Sequence, residues 1–133
     1  MAALNALGRI LLALIFVVAG IAKLFDYERF EGLMLAHKMP AVPVLLPLTI
    51  AVEVIGALLV ATGYQARIGA ALLIAFIIPA TLIFHTSLVL PIQPGLMAEF
   101  QQQNLMKNLA ILGALILVLV NGPGPGSLGA KRR

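Results

Sequence analysis

The sequence predicts an all-α integral membrane protein, a bundle of four helices running up, down, up and down, and three observations carry that prediction. Hydrophobic residues fill 62% of the 133 positions and charged residues only 11%. That charged share is less than half of the roughly 25% found in soluble domains, so no polar shell is available to cover an apolar core and lipid has to be the outer solvent. The apolar residues are gathered into four runs, each long enough to cross about 30 Å of hydrocarbon as a helix. Within each run hydrophobicity is continuous, which excludes the alternating strands of a membrane β-barrel.

The first span covers residues 4–23. Arg9 ahead of an apolar stretch, with Gly20-Ile21-Ala22 beyond it, has the outline of a signal peptide. Three further spans follow, however, and an uncleaved helix is expected. The second span covers 44–63, after the breakers Pro40, Pro43 and Pro47 and up to Gly63. The third covers 68–90 and stops at Pro91 and Pro94. Pro79 lies inside it and is expected to kink the helix. The fourth covers 104–120, ended by the Gly-Pro run at 122–126, after which a short basic tail closes the chain. The whole of 1–133 is read as one transmembrane domain.

Connection lengths then arrange the spans. The tight turn at 64–67 makes the second and third helices antiparallel neighbours, whereas the connections at 24–43 and 91–103 are long enough to fold over one end of the bundle. Phe25, Tyr27, Phe30 and Phe100 are read as interfacial anchors near that roof. Arg9, Arg67, Lys131, Arg132 and Arg133 fall on the side of the termini, and the opposite loops dilute Arg29 and Lys38 with Asp26, Glu28, Glu31 and Glu99. The positive-inside rule therefore predicts that both termini are cytoplasmic.

Other chemistry is excluded by composition. The net charge of +4 comes from scattered residues with no basic stripe, so nucleic acid is not an expected partner. The absence of cysteine removes an internal dithiol relay and any thiolate metal site. No phosphate-binding loop, catalytic triad pattern or metal-ligand cluster is present, and two histidines are a weak basis for haem ligation.

The informative residues are the polar ones that lipid should have excluded. Glu53 lies about 12 Å into its span at roughly 1.5 Å per residue, where an unpaired carboxylate costs several kcal/mol. Gly56, Ala57 and Ala61 mark the same helix for close packing, so Glu53 is expected to face the bundle interior. The alternating topology brings Lys23, His85, Gln103, Lys107 and Asn108 to the same, outer half. The candidate ligand-binding cluster is therefore Lys23, Glu53, His85, Lys107 and Asn108, with Lys23 or Lys107 the first candidates to neutralise Glu53 and His85 the next. Taken singly, the lysines also fit snorkelling ends and His85 a hydrogen-bonded interface residue.

These residues fall in an order that is itself informative: Gly8-Arg9-Ile10-Leu11-Leu12, Phe16 and Gly20-Ile21-Ala22-Lys23-Leu24-Phe25, then Glu53, Gly56, Gly63 and Arg67, then His85, Lys107-Asn108-Leu109-Ala110, Gly122-Pro123-Gly124 and Ser127-Leu128. In this order and spacing the chain resembles the DoxX family of small bacterial four-helix membrane proteins. Where that family usually continues Ser-Leu with an Asp, this chain has Gly129. The resemblance implies a redox association, because the family is related to the membrane subunit of a thiosulfate:quinone oxidoreductase. It also suggests a ligand: a quinone head needs donors for its carbonyl oxygens, and the candidate cluster contains suitable groups. Three functions fit: a redox-associated subunit binding a quinone or another small amphipathic ligand, a non-catalytic subunit stabilising a larger membrane complex or a homo-oligomer, and a small proton-coupled transporter using Glu53. The almost wholly apolar cytoplasmic halves of the spans disfavour the last.

Overall fold

The computed structural model describes residues 1–129 and contains five helices: α1 (Ala2–Phe25), α2 (Tyr27–Ala36), α3 (Val42–Thr62), α4 (Ala66–Phe84) and α5 (Leu96–Asn121). Four of them, α1, α3, α4 and α5, are long and apolar enough to cross a membrane. The described residues contain no strand. The all-helical, four-span expectation therefore holds. Lys131, Arg132 and Arg133 lie outside the described residues.

The helix boundaries depart from the sequence expectation in three places. First, residues 27–36 form a helix where a loop was expected. Tyr27, Phe30 and Met34 recur at helical spacing and pack over Val42, Leu46 and Ile50, while Glu28 and Arg29 are exposed. Tyr27 and Phe30 are thus packing residues, whereas Phe25 and Phe100 are exposed. Second, α4 ends at Phe84, six residues early. The Thr86 hydroxyl donates to the Leu82 carbonyl at 2.5 Å and accepts from the Leu88 N–H at 3.2 Å, offering the backbone a turn in place of another helical step. Third, α5 starts at Leu96, eight residues early, because Gly95 at φ 83° turns the chain into a helix whose first turns interleave Leu96, Met97 and Phe100 with Glu99, Gln101 and Gln102 and so break the apolar run. Hydropathy marks the lipid boundary, not the helix end.

Two prolines expected to act as breakers are accommodated. Pro43 occupies the first turn of α3, where its missing N–H costs nothing, and both Pro47 in α3 and Pro79 in α4 lie inside continuous helices. Gly63 ends α3 at φ 74°, a left-handed conformation that only glycine adopts freely, and α4 begins three residues later.

Small residues set how closely the helices approach. A Cβ added at Gly69 would lie 2.6 Å from the Gly56 carbonyl oxygen and 2.7 Å from the Leu59 Cβ, so α3 and α4 touch backbone to backbone. One added at Gly20 would lie 2.7 Å from Val54, which brings α1 against α3 beside Glu53. Ala13, Phe16, Ala57, Val60, Ala70, Leu73, Ile77 and Leu115 form the main core, and Met34, Val42, Leu46 and Ile50 a second one beneath α2. With no hydrophobic driving force between helices in lipid, such close contacts are what hold the bundle together.

Arg9 takes a role the sequence did not disclose. Read as a charge at a membrane boundary, it is instead 5% exposed, and its guanidinium donates to the carbonyls of Pro123 at 2.5 Å and Gly126 at 2.9 Å and to the Asn5 side chain. Arg67, at the start of α4, donates to the Val120 carbonyl at 3.2 Å. These bonds gather the start of α1, the α3–α4 turn and the end of α5 at one end of the bundle. They also satisfy carbonyls that the end of α5 and the glycine-proline run leave free.

Candidate functional site

The opposite half of the bundle holds the polar cluster. Gly20 lets α1 approach α3 closely enough for Lys23, in the last turn of α1, to form an ion pair with Glu53 of α3. The Lys23 side chain is 14% exposed and that of Glu53 only 2%. The Lys23 ammonium also lies 5.0 Å from the centre of the Phe76 ring and 5.7 Å from that of Phe30. Three elements, α2, α3 and α4, therefore surround one cation with a carboxylate and two aromatic faces. That arrangement replaces the water a lysine would otherwise require.

The other candidates are held by separate hydrogen bonds. The Asn108 amide of α5 donates to the buried Thr81 hydroxyl of α4 at 2.9 Å. His85, at the C-terminal end of α4, has Nδ1 2.7 Å from Oε1 of Gln101, so Nε2 is the ring nitrogen not engaged by Gln101. Lys107 donates to Asn104 on its own helix at 2.9 Å and is exposed. Lys107 therefore does not neutralise Glu53; Lys23 does. Gln103 is exposed, and Gln101 takes the place beside His85. Gln101 lies in the stretch read as loop, so its register with α4 could not be anticipated. His37 lies against Phe84 with ring centres 4.6 Å apart and ring planes tilted by 56°.

Although only some of these groups bond to one another, Lys23, Glu53, His85, Lys107 and Asn108 all line a single cavity of about 590 Å³. Its remaining walls are overwhelmingly apolar, with α1, α2, α3, α4 and α5 all contributing. A space of that volume with few polar groups in an apolar wall matches the usual form of a small-molecule site. The charges on its wall are Lys107, with a neutral hydrogen-bond partner, and the mutually neutralised Lys23 and Glu53. Among the described residues no group of three or more metal-ligating side chains occurs.

Comparison with known proteins agrees with this architecture. The inner membrane protein YqjF of Escherichia coli strain K12 is 30% identical over 121 residues, covering 91% of this chain and 85% of that protein. No solved structure matches. The DoxX family model matches residues 4–86, more than half of the chain, from the start of α1 through the ion pair to His85, and the chain belongs to the DoxX family.

Proposed function

We propose that this protein is a redox-associated subunit of a bacterial inner membrane, with both termini cytoplasmic, that binds a quinone or a similarly small amphipathic ligand in the cavity beside the Lys23–Glu53 pair. The observation that carries this reading is the convergence of Lys23, Glu53, His85, Lys107 and Asn108 on one apolar cavity. The polar groups suit a quinone and its reduced form: the Lys107 ammonium can donate to a carbonyl oxygen, Nε2 of His85 can accept from a quinol hydroxyl while Nδ1–H is held by Gln101, and the aromatic rings of Phe30 and Phe76 flank the same space. A bound quinone would supply the electron-accepting group. The chain's own residues hold and orient it, exclude water with apolar walls, and offer a titratable group in His85. Because the chain has no cysteine, electrons reach the site from a partner protein or another bound group.

The test is photolabelling of the purified, reconstituted protein with an azidoquinone, followed by peptide mapping and competition with unlabelled quinone. Competable label on the peptides carrying Lys23, Glu53, His85 or Lys107 is the expected result. Label confined to outward positions such as Leu117 of α5, or label that quinone does not displace, would overturn it.

A second reading draws on a different observation. Leu115 is the one buried residue of α5, and Leu109, Ile116, Leu117 and Val120 stand exposed along it. A non-catalytic subunit packing α5 against a larger membrane complex has that form. Specific co-purification of a partner that Leu117→Lys abolishes, with no quinone labelling, would favour it.

A further inference from the structure

The cavity's polar end and its mouth lie at different depths. Lys107 and His85 mark the end covered by α2, but the wall continues along α3 and α4 through Leu48, Ala75 and Pro79. Leu48 is 55% exposed, and Ala75 and Pro79 are exposed as well. Ala75 is the tenth residue of the 19-residue α4, about 15 Å from its start and thus near the middle of the span. Residues of two neighbouring helices that face both the cavity and the outside within the span border an opening into hydrocarbon.

Local sequence explains why the seam is open there. α3 and α4 are in backbone contact where Gly56 meets Gly69, but further along the facing residues include Ala75 and Pro79, which are too small to fill the gap. Pro79 also lacks the N–H that would bond the Ala75 carbonyl one turn earlier. The mouth therefore carries a backbone acceptor without its usual helical donor.

From this we infer that the cavity is loaded sideways from the bilayer through the α3–α4 seam at Leu48, Ala75 and Pro79, by a single-tailed amphiphile dissolved in lipid. Its head carries an acceptor oxygen that meets Lys107 and a hydroxyl that donates to Nε2 of His85, and its tail runs out through the seam among the acyl chains. This rests on the reading of the cavity as a ligand site, and it specifies the route and the class of molecule. The wall suits such an amphiphile better than a water-soluble metabolite, because Lys23 is already neutralised by Glu53 and most of the lining is apolar.

Acyl-chain access is measurable without knowing the ligand. The chain has no tryptophan, so Phe76→Trp and Ile83→Trp each place a single tryptophan, excited apart from the two tyrosines, on the cavity wall. Each variant is reconstituted, full length, into vesicles of phosphatidylcholine brominated near the middle of its chains. Both reporters are expected to be strongly quenched, approaching a lipid-facing Leu117→Trp control, and to resist aqueous acrylamide. Adding Ala75→Phe should reduce quenching of the cavity reporters several-fold and leave the Leu117→Trp control unchanged. Quenching by acrylamide and not by brominated lipid, quenching by neither, or quenching that Ala75→Phe leaves intact at both positions would each overturn the lateral route. Since no quinone is present, quenching that survives while azidoquinone labelling fails sinks only the identity of the ligand, and labelling without quenching sinks only the route.

Discussion

Glu53 is the residue on which the site turns. Buried at 2% side-chain exposure, it is compatible with the bundle only because Lys23 meets it and Phe30 and Phe76 flank the cation. Removing the carboxylate leaves the lysine in a low-dielectric wall with no counter-charge. Glu53→Ala is therefore expected to cost about 3–5 kcal/mol, and Glu53→Gln less, because an amide still accepts a hydrogen bond. Thermal melting in mild detergent measures both, and equal losses would refute the pairing argument. The paired replacement Lys23→Met with Glu53→Leu removes both charges together, so it should restore most of the stability lost by Glu53→Ala. If it restores melting but not azidoquinone labelling, the pair serves the ligand as well as the fold. Glu53 was legible as an anomaly from its depth alone. Its partner was not, since Lys23 and Lys107 are both long enough to reach inward and only the mutual rotation of the helices separates them.

At the scale of the elements, close contact depends on glycine in the two seams that matter. Gly20 brings α1 to α3 beside the ion pair, and Gly56 and Gly69 join α3 to α4. Gly69→Leu would force a side chain into the Gly56 carbonyl and the Leu59 side chain, and overpacking of this kind costs typically 1–3 kcal/mol. A lowered melting temperature with shifted disulfide cross-linking between cysteines introduced into α3 and α4 is the expected outcome; unchanged cross-linking would show that the backbones are not in contact. A third contact, at the opposite end of the bundle, is electrostatic. Arg9→Ala unpins the Pro123 and Gly126 carbonyls from α1, so protease sensitivity after residue 121 should rise while helix content is retained. No change in cleavage would count against the clamp. The four spans could be read from hydropathy, whereas α2 could not, because a ten-residue helix lying over the bundle end carries no span-length signal.

At the scale of the whole molecule the balance of Lys and Arg in the sequence predicts an orientation for the bundle. With Arg9, Arg67 and the terminal Lys131, Arg132 and Arg133 on one side, reporter fusions at the C-terminus should be active only in the cytoplasmic form. Periplasmic activity would reverse the topology and place the ion-paired half toward the cytoplasm. The sequence by itself determined the solvent, the number of spans and the existence of intramembrane polar groups. Each of these follows from local composition and length, set by the thickness of hydrocarbon and the cost of a charge within it. Only the packing of the helices shows that Lys23 rather than Lys107 answers Glu53, that Gln101 holds His85, that Arg9 clamps the glycine-proline run, and that the five candidate groups share one cavity with Leu48, Ala75 and Pro79. These depend on helix rotation and relative depth. One residue of register turns a side chain by about 100°, and an apolar run long enough to span a bilayer leaves that register unspecified.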